Sequence, residues 1–194
     1  MSQLRAICVF CGSSAGVNPR YRDSAFHVGR TLAEQGIQLV YGGGSVGLMG
    51  AVADGALETG GRVVGIIPRG LADRERMHAG ATEMQVVDTM HTRKARMAEL
   101  SDAFIAMPGG MGTLEEFTEI FTWGQLGIHA KPFGLLNTEG FYDPFVAMLD
   151  HMVREGFLGA HHRALVCVEP TIEALLEALR AWSAPTQTIW RHQE

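Results

Sequence analysis

Lysine is nearly missing. Of the 16 lysines and arginines in the 194-residue chain, only Lys94 and Lys131 are lysines. A P-loop needs GK[ST] after its glycines, and neither lysine follows a glycine loop, which argues against hydrolysis of nucleoside triphosphates. A pyridoxal Schiff base needs a lysine presented to the cofactor, and only Lys94 lies near a candidate site. Cysteine is equally sparse. With three in all, Cys8 and Cys11 form one CxxC with no second pair to complete a zinc site, so they read as buried thiols.

Basic blocks and long apolar runs are absent as well. The net charge of −5 comes from 21 acidic against 16 basic residues scattered along the chain, which leaves nothing to hold a nucleic-acid backbone. No apolar stretch approaches the ~20 residues of a membrane span. The opening MSQLRAICVF has one arginine and too short an apolar run for a signal peptide. The chain is therefore expected to be soluble and cytoplasmic, with neither a nucleic-acid polymer nor a membrane as partner.

What is present is an alternation of strand-like and helix-like segments. Strands are expected over 4–11, 37–41, 62–67, 84–87, 103–107, 132–136 and 164–168. Helices are expected over 21–35, 48–58, 89–100, from the PGGMGT loop to about 125, 143–154 and 171–182. Runs such as RVVGIIP and DAFIAMP are continuously apolar, as strands covered on both faces must be. The fold class is α/β: a Rossmann-like, doubly wound parallel sheet with helices on both faces. A single nucleotide-binding domain is expected over residues 1–182, with a C-terminal tail over 183–194.

Ligands of such sheets sit at the carboxyl ends of the strands. Three loops leaving those ends are rich in small residues: CGSSAG, YGGGSVGLMG and MPGGMGT. Gly42, Gly44 and Gly47 satisfy GxGxxG, but the following strand ends Ile66, Ile67, Pro68, Arg69 without the carboxylate a nicotinamide ribose would want, so the dinucleotide reading is weak. Ser13, Ser14, Gly43, Gly44, Gly110 and Gly112 nevertheless offer backbone N–H groups on one rim. Amides at a helix start hold a single phosphate without lysine, so a monophosphate fits best.

The MPGGMGT loop runs on into two glutamates. Thr113 and Glu116 have the S/T-x-x-E spacing of a capping box, and from spacing alone that structural role and a chemical one are evenly matched. The segment DTMHTRKARMAEL tips the balance. Met90, Arg93, Met97 and Leu100 share one helical stripe, so Arg93 should face the core and needs a carboxylate or phosphate partner there. With a phosphate at the Gly112 and Thr113 amides, a carboxylate one turn on reaches the sugar carbon that carries a base. Cleavage there passes through an oxocarbenium-like sugar, which a carboxylate stabilises while activating water, and a cation helps the base to leave.

MHTRKARM, PGGMGTLEE and TWGQLGIHAKPFGLLN together resemble the LOG family, cytokinin-activating phosphoribohydrolases often misnamed lysine decarboxylases. The likeness runs from VFCGSSAG through GFYDPF. It implies a homodimer that hydrolyses a nucleoside 5′-monophosphate, AMP or an N6-modified AMP, to free base and ribose 5-phosphate, with no metal and no organic cofactor. By position, Arg93 and Glu116 match the catalytic pair, with Lys94 beside them. Gly110, Met111, Gly112, Thr113, Leu114 and Glu115 match the phosphate and ribose cradle, and Thr122 and Glu75 match further substrate contacts. The alternative is a carrier of the same fold that binds a nucleotide-like ligand without cleaving it.

Overall fold

The apolar runs become strands that are buried end to end. A computed structural model describes residues 4–72 and 77–184. Its strands are β1 (Ala6–Phe10), β2 (Gln38–Tyr41), β3 (Val63–Pro68), β4 (Glu83–Val87), β5 (Ala103–Ala106), β6 (Phe133–Leu136) and β7 (Val166–Glu169). They form one parallel sheet of order β4-β3-β2-β1-β5-β6-β7. The helices are α1 (Pro19–Glu34), α2 (Gly47–Glu58), α3 (Arg69–Ala72), α4 (Met90–Glu99), α5 (Met111–Gln125), α6 (Asp143–Arg154), α7 (Ala160–Arg163) and α8 (Ile172–Ala181).

Side-chain alternation along β1 divides the core into two layers. Ile7, Val9 and Cys11 pack with α1, α2 and α8, whereas Ala6, Cys8 and Phe10 pack with α4, α5 and α6. Cys8 and Cys11 are thus free, buried thiols turned to opposite faces, because positions three apart on a strand point in opposite directions. On the first face, a Cβ on Gly29 would stand 1.9 Å from the Val52 carbonyl oxygen and one on Gly55 2.0 Å from that of Phe26, so α1 and α2 meet backbone to backbone. On the second face Phe117 of α5 packs edge-on against Phe133 of β6, ring centroids 6.1 Å apart. Losing such a buried ring costs about 3–5 kcal/mol, so this contact anchors the helix that carries the adjacent Glu116.

Each expected strand and helix is present, α6 with the expected bounds and most others with ends shifted by a residue or more. β7 starts at Val166 instead of 164 because α7 occupies Ala160–Arg163 and closes on Ala164. The short helix α3 and a 3-10 turn over Thr138–Gly140 fill stretches that carry no helical period. Of the expected tail, residues 185–194 lie outside the described residues, as does Glu75.

The chain lays β1 to β4 outward to one side and then returns to set β5 beside β1. That reversal opens a crevice between the ends of β1 and β5, where open α/β sheets receive ligands. The two loops there are clamped together: Met107 N–H donates to Phe10 O at 2.8 Å, Gly12 N–H to Pro108 O at 3.1 Å, and Leu48 N–H to Gly12 O at 3.0 Å. From behind, the buried Tyr142 hydroxyl donates to Met107 O at 2.6 Å.

Candidate active site

At the switch point lies a cleft of about 190 Å³, lined in part by Gly12 and Ser13 after β1, Gly42 after β2, Gly110 after β5, and Thr113 and Glu116 of α5. Close backbone approach makes this rim possible. A Cβ on Gly47, whose φ is +64°, would stand 2.3 Å from the Ser13 carbonyl. One on Gly42 would stand 2.1 Å from Arg93 Nη2, so the guanidinium lies over the bare backbone at the end of β2.

Arg93, on the inner face of α4, meets Glu116 on α5. The Nη2 to Oε1 separation is 3.5 Å, and the two side chains are 8% and 10% exposed. Arg93 Nη1 also donates to Met90 Sδ at 3.6 Å, while its buried Nε has no hydrogen-bond acceptor among the described residues. A buried donor without a partner costs about 1–3 kcal/mol, and this one lies in a side chain that lines the cleft. The field of the pair reaches the strand below. Burial raises the thiol pKa of both Cys8 and Cys11, the charge of Glu116 raises them further, and that of Arg93 opposes the rise.

The capping box that the spacing of Thr113 and Glu116 allows is not the start of this helix. The helix begins three residues earlier, with Gly110 as its cap and no side-chain cap bond, so Thr113 sits inside the first turn. The glycines preceding it let the chain enter the helix early. Leu114 N–H, bonded to Gly110 O at 3.2 Å, is the first amide held within the helix. The amides of Met111, Gly112 and Thr113 precede it and form the open N-terminal end of α5. A Cβ built on Gly110 or Gly112 meets nothing within 4 Å, so protein packing demands glycine at neither position.

Lys94, next to Arg93, is engaged elsewhere. Its side chain is 7% exposed, and its ammonium pairs with Glu115 and stands 3.0 Å from Glu119 Oε2. Burial works against its charge, but the two carboxylates outweigh it and the lysine pKa is raised. Consecutive residues of α4 thus grip α5: Arg93 through Glu116, and Lys94 through Glu115 and Glu119.

Ser13, Arg93, Gly110, Gly112, Thr113, Glu115 and Glu116 line the cleft together. Leu114 packs into the core instead, Met111 is exposed, and Thr122 is an exposed residue whose hydroxyl donates to Thr118 O at 2.7 Å. Gly43 and Gly44 lie behind the rim, Gly43 at a φ of +83° against Met84. Sequence reasoning passed over the apolar wall of Met49, Leu71 and Met90. For Met90 the signal was there, one helical turn before Arg93.

Comparison with known proteins accords with this arrangement. The family model described as possible lysine decarboxylase matches residues 49–179. Cytokinin riboside 5′-monophosphate phosphoribohydrolase LOG of Oryza sativa subsp. japonica is 49% identical over 181 residues, covering 93% of this chain and 75% of that protein. A cytokinin riboside 5′-monophosphate phosphoribohydrolase of Arabidopsis thaliana is also 49% identical over 181 residues, covering 93% and 85%. Among solved structures, the molybdenum cofactor binding protein from Rippkaea orientalis superposes with a TM-score of 0.70 at 22% identity, covering 93% of this chain and 98% of that one, a likeness of fold. The family model spans most of the chain and the relatives share about half of its residues, so the chain belongs to the LOG family.

Proposed function

We propose that the protein hydrolyses the N-glycosidic bond of a nucleoside 5′-monophosphate, releasing free base and ribose 5-phosphate. The observation that carries this reading is the buried Arg93–Glu116 pair beside the open N-terminus of α5. Free amides and the helix dipole suit a 5′-phosphate, and the bare Gly110 and Gly112 let it approach the backbone. Glu116, one turn on, then faces the sugar.

Water adds to C1′ as the C1′–N bond breaks, and the base departs with the bonding pair. Glu116 stabilises the cationic sugar and takes the proton that the attacking water gives up. Arg93 offsets the negative charge on the departing base, which ends protonated from solvent, so that one proton passes in net from water to base. A buried ion pair suits this role, because its charges are fixed before the reaction and are little screened by solvent.

The substrate class is AMP or an N6-modified AMP; the names of the relatives specify a cytokinin riboside 5′-monophosphate. The cleft of about 190 Å³ accommodates a ribose phosphate, with the base lying toward Leu71 and the part-exposed Met90. Sites that enclose a whole drug-sized ligand run to about 300–1,000 Å³. The protein acts without metal or organic cofactor, as a homodimer in the cytoplasm; among the described residues no helix is long and apolar enough to cross a membrane. A carrier of this fold needs the amide nest but has no use for both Arg93 and Glu116.

Incubation with AMP, N6-prenyl AMP and the matching unphosphorylated nucleosides, with products separated by chromatography, tests the reading. Base and ribose 5-phosphate are expected from the monophosphates alone. Tight nucleotide binding with no base release would replace the enzyme by the carrier.

A further inference from the structure

The turn that makes room for Arg93 is held from behind by a residue without a part in the chemistry above. The turn runs through Gly42, Gly43 and Gly44, where Gly43 has a φ of +83° and no side chain anchors the backbone. Its support comes from the segment entering β4. Met77 and Gly44 form an isolated antiparallel bridge, and His78 N–H donates to Gly43 O at 3.0 Å. The His78 ring is tied down at both nitrogens. Gly80 N–H donates to Nδ1 at 3.2 Å, which leaves Nε2 as the protonated nitrogen of the neutral ring, and Nε2 lies 3.0 Å from Asp54 Oδ1 on α2. The His78 side chain is 12% exposed and that of Asp54 45%, so the link is buried at its histidine end and open to water at its carboxylate end.

We propose that His78 is a positioning residue for the cleft: clamped to α2 through Asp54, it fixes the Gly42–Gly44 turn and thereby the seat of the Arg93 guanidinium. Arg93 Nη2 occupies the space that a Cβ on Gly42 would take, so the guanidinium lies against the Gly42 backbone and its seat follows the turn. The inference rests on the proposed role of Arg93.

The test compares His78→Ala, Asp54→Ala, His78→Gln and the double alanine variant in the hydrolysis of AMP and N6-prenyl AMP. Glutamine keeps a donor at the reach of Nε2, so it preserves the link that alanine removes. Each alanine variant should lower kcat about tenfold, the scale of a misplacement below 1 Å. KM should change less than about twofold, as fits a group acting in the transition state. The double variant should be no worse than either single one, and glutamine should restore most of the rate. An unchanged kcat in His78→Ala, an additive double variant, or a glutamine variant as slow as alanine would overturn the proposal.

A readout without turnover separates this failure from failure of the enzyme reading. The Arg93 Nε–H resonance should shift in both alanine variants and return in His78→Gln. The His78 amide should exchange about tenfold faster in Asp54→Ala. If wild type cleaves no monophosphate, these two measurements alone decide, and their constancy would refute the clamp.

Discussion

Arg93 and Glu116 face one another at 3.5 Å from two different helices, each side chain about nine-tenths buried. Neither helix is close to the other in sequence at that point, so the pair exists only because the parallel sheet brings α4 and α5 onto the same face. Removing one partner of such a pair leaves a buried charge uncompensated, at a cost of about 3–5 kcal/mol. A substitution that tests chemistry must therefore keep the shape.

Glu116→Gln does so. Gly110, not Thr113, caps this helix, so the pairing of Glu116 with Arg93 is the contact to preserve, and the amide can still accept from Arg93. The melting temperature is expected to stay within a few degrees of wild type, while kcat falls about 10²–10⁴-fold, the range for a lost general base. Single-turnover release of base from AMP measures the rate and thermal melting the fold. A wild-type rate would make the glutamate structural.

Gly42→Ala probes the seat of the arginine. The new methyl would stand 2.1 Å from Nη2 and 3.1 Å from Met49 Sδ, so the guanidinium must move. Overpacking of this kind costs about 1–3 kcal/mol, and kcat should fall with it. Denaturant unfolding and steady-state kinetics measure the two. A variant that melts early yet turns over normally would show that Arg93 tolerates displacement.

Part of this was legible in the sequence and part was not. Continuously apolar runs such as AICVF and VVGIIP announce a doubly covered parallel sheet, and all five and six of their residues, respectively, are buried. An arginine on an apolar helical stripe announces an inward charge, and Arg93 is inward. The spacing of Thr113 and Glu116 left two roles open, because a glycine cap can start a helix before the first hydroxyl. Lys94 is a different case. Its partners Glu115 and Glu119 lie on a helix more than twenty residues later in the chain, and no local pattern pairs them. Gly42 and His78 were silent for the same reason, since their contacts with Arg93 and Asp54 cross between elements.

Lys94 gives a pH prediction with a definite sign. Its folded pKa is raised above the ordinary 10.5, because the carboxylates of Glu115 and Glu119 overcome the effect of burial. A raised pKa means stability fully present below the unfolded value and lost as pH climbs through the folded one. Lys94→Met should lower stability at neutral pH by about 1–3 kcal/mol, the worth of charge-assisted bonds. Above about pH 10.5 its deficit against wild type should shrink. Urea unfolding from pH 7 to 11 would show this, and a deficit constant across that range would mean that packing of the lysine stem, not its charge, joins α4 to α5.

Gly112→Ala separates the demands of folding from those of binding. At Gly110 and Gly112 a Cβ meets no protein atom within 4 Å, and neither has a positive φ, so alanine fits without strain. Inside the first turn of α5, Gly112→Ala should stabilise the fold by about 0.4–1 kcal/mol by restricting the unfolded chain. If the open amides hold the 5′-phosphate, the same methyl stands where the phosphate oxygens approach, and KM for AMP should rise severalfold while the protein melts higher. The unphosphorylated nucleoside, whatever its weak affinity, should be indifferent to the change. A glycine that binding requires and folding does not is what a phosphate nest predicts. Unchanged KM in a stabilised variant would move the phosphate away from the start of α5.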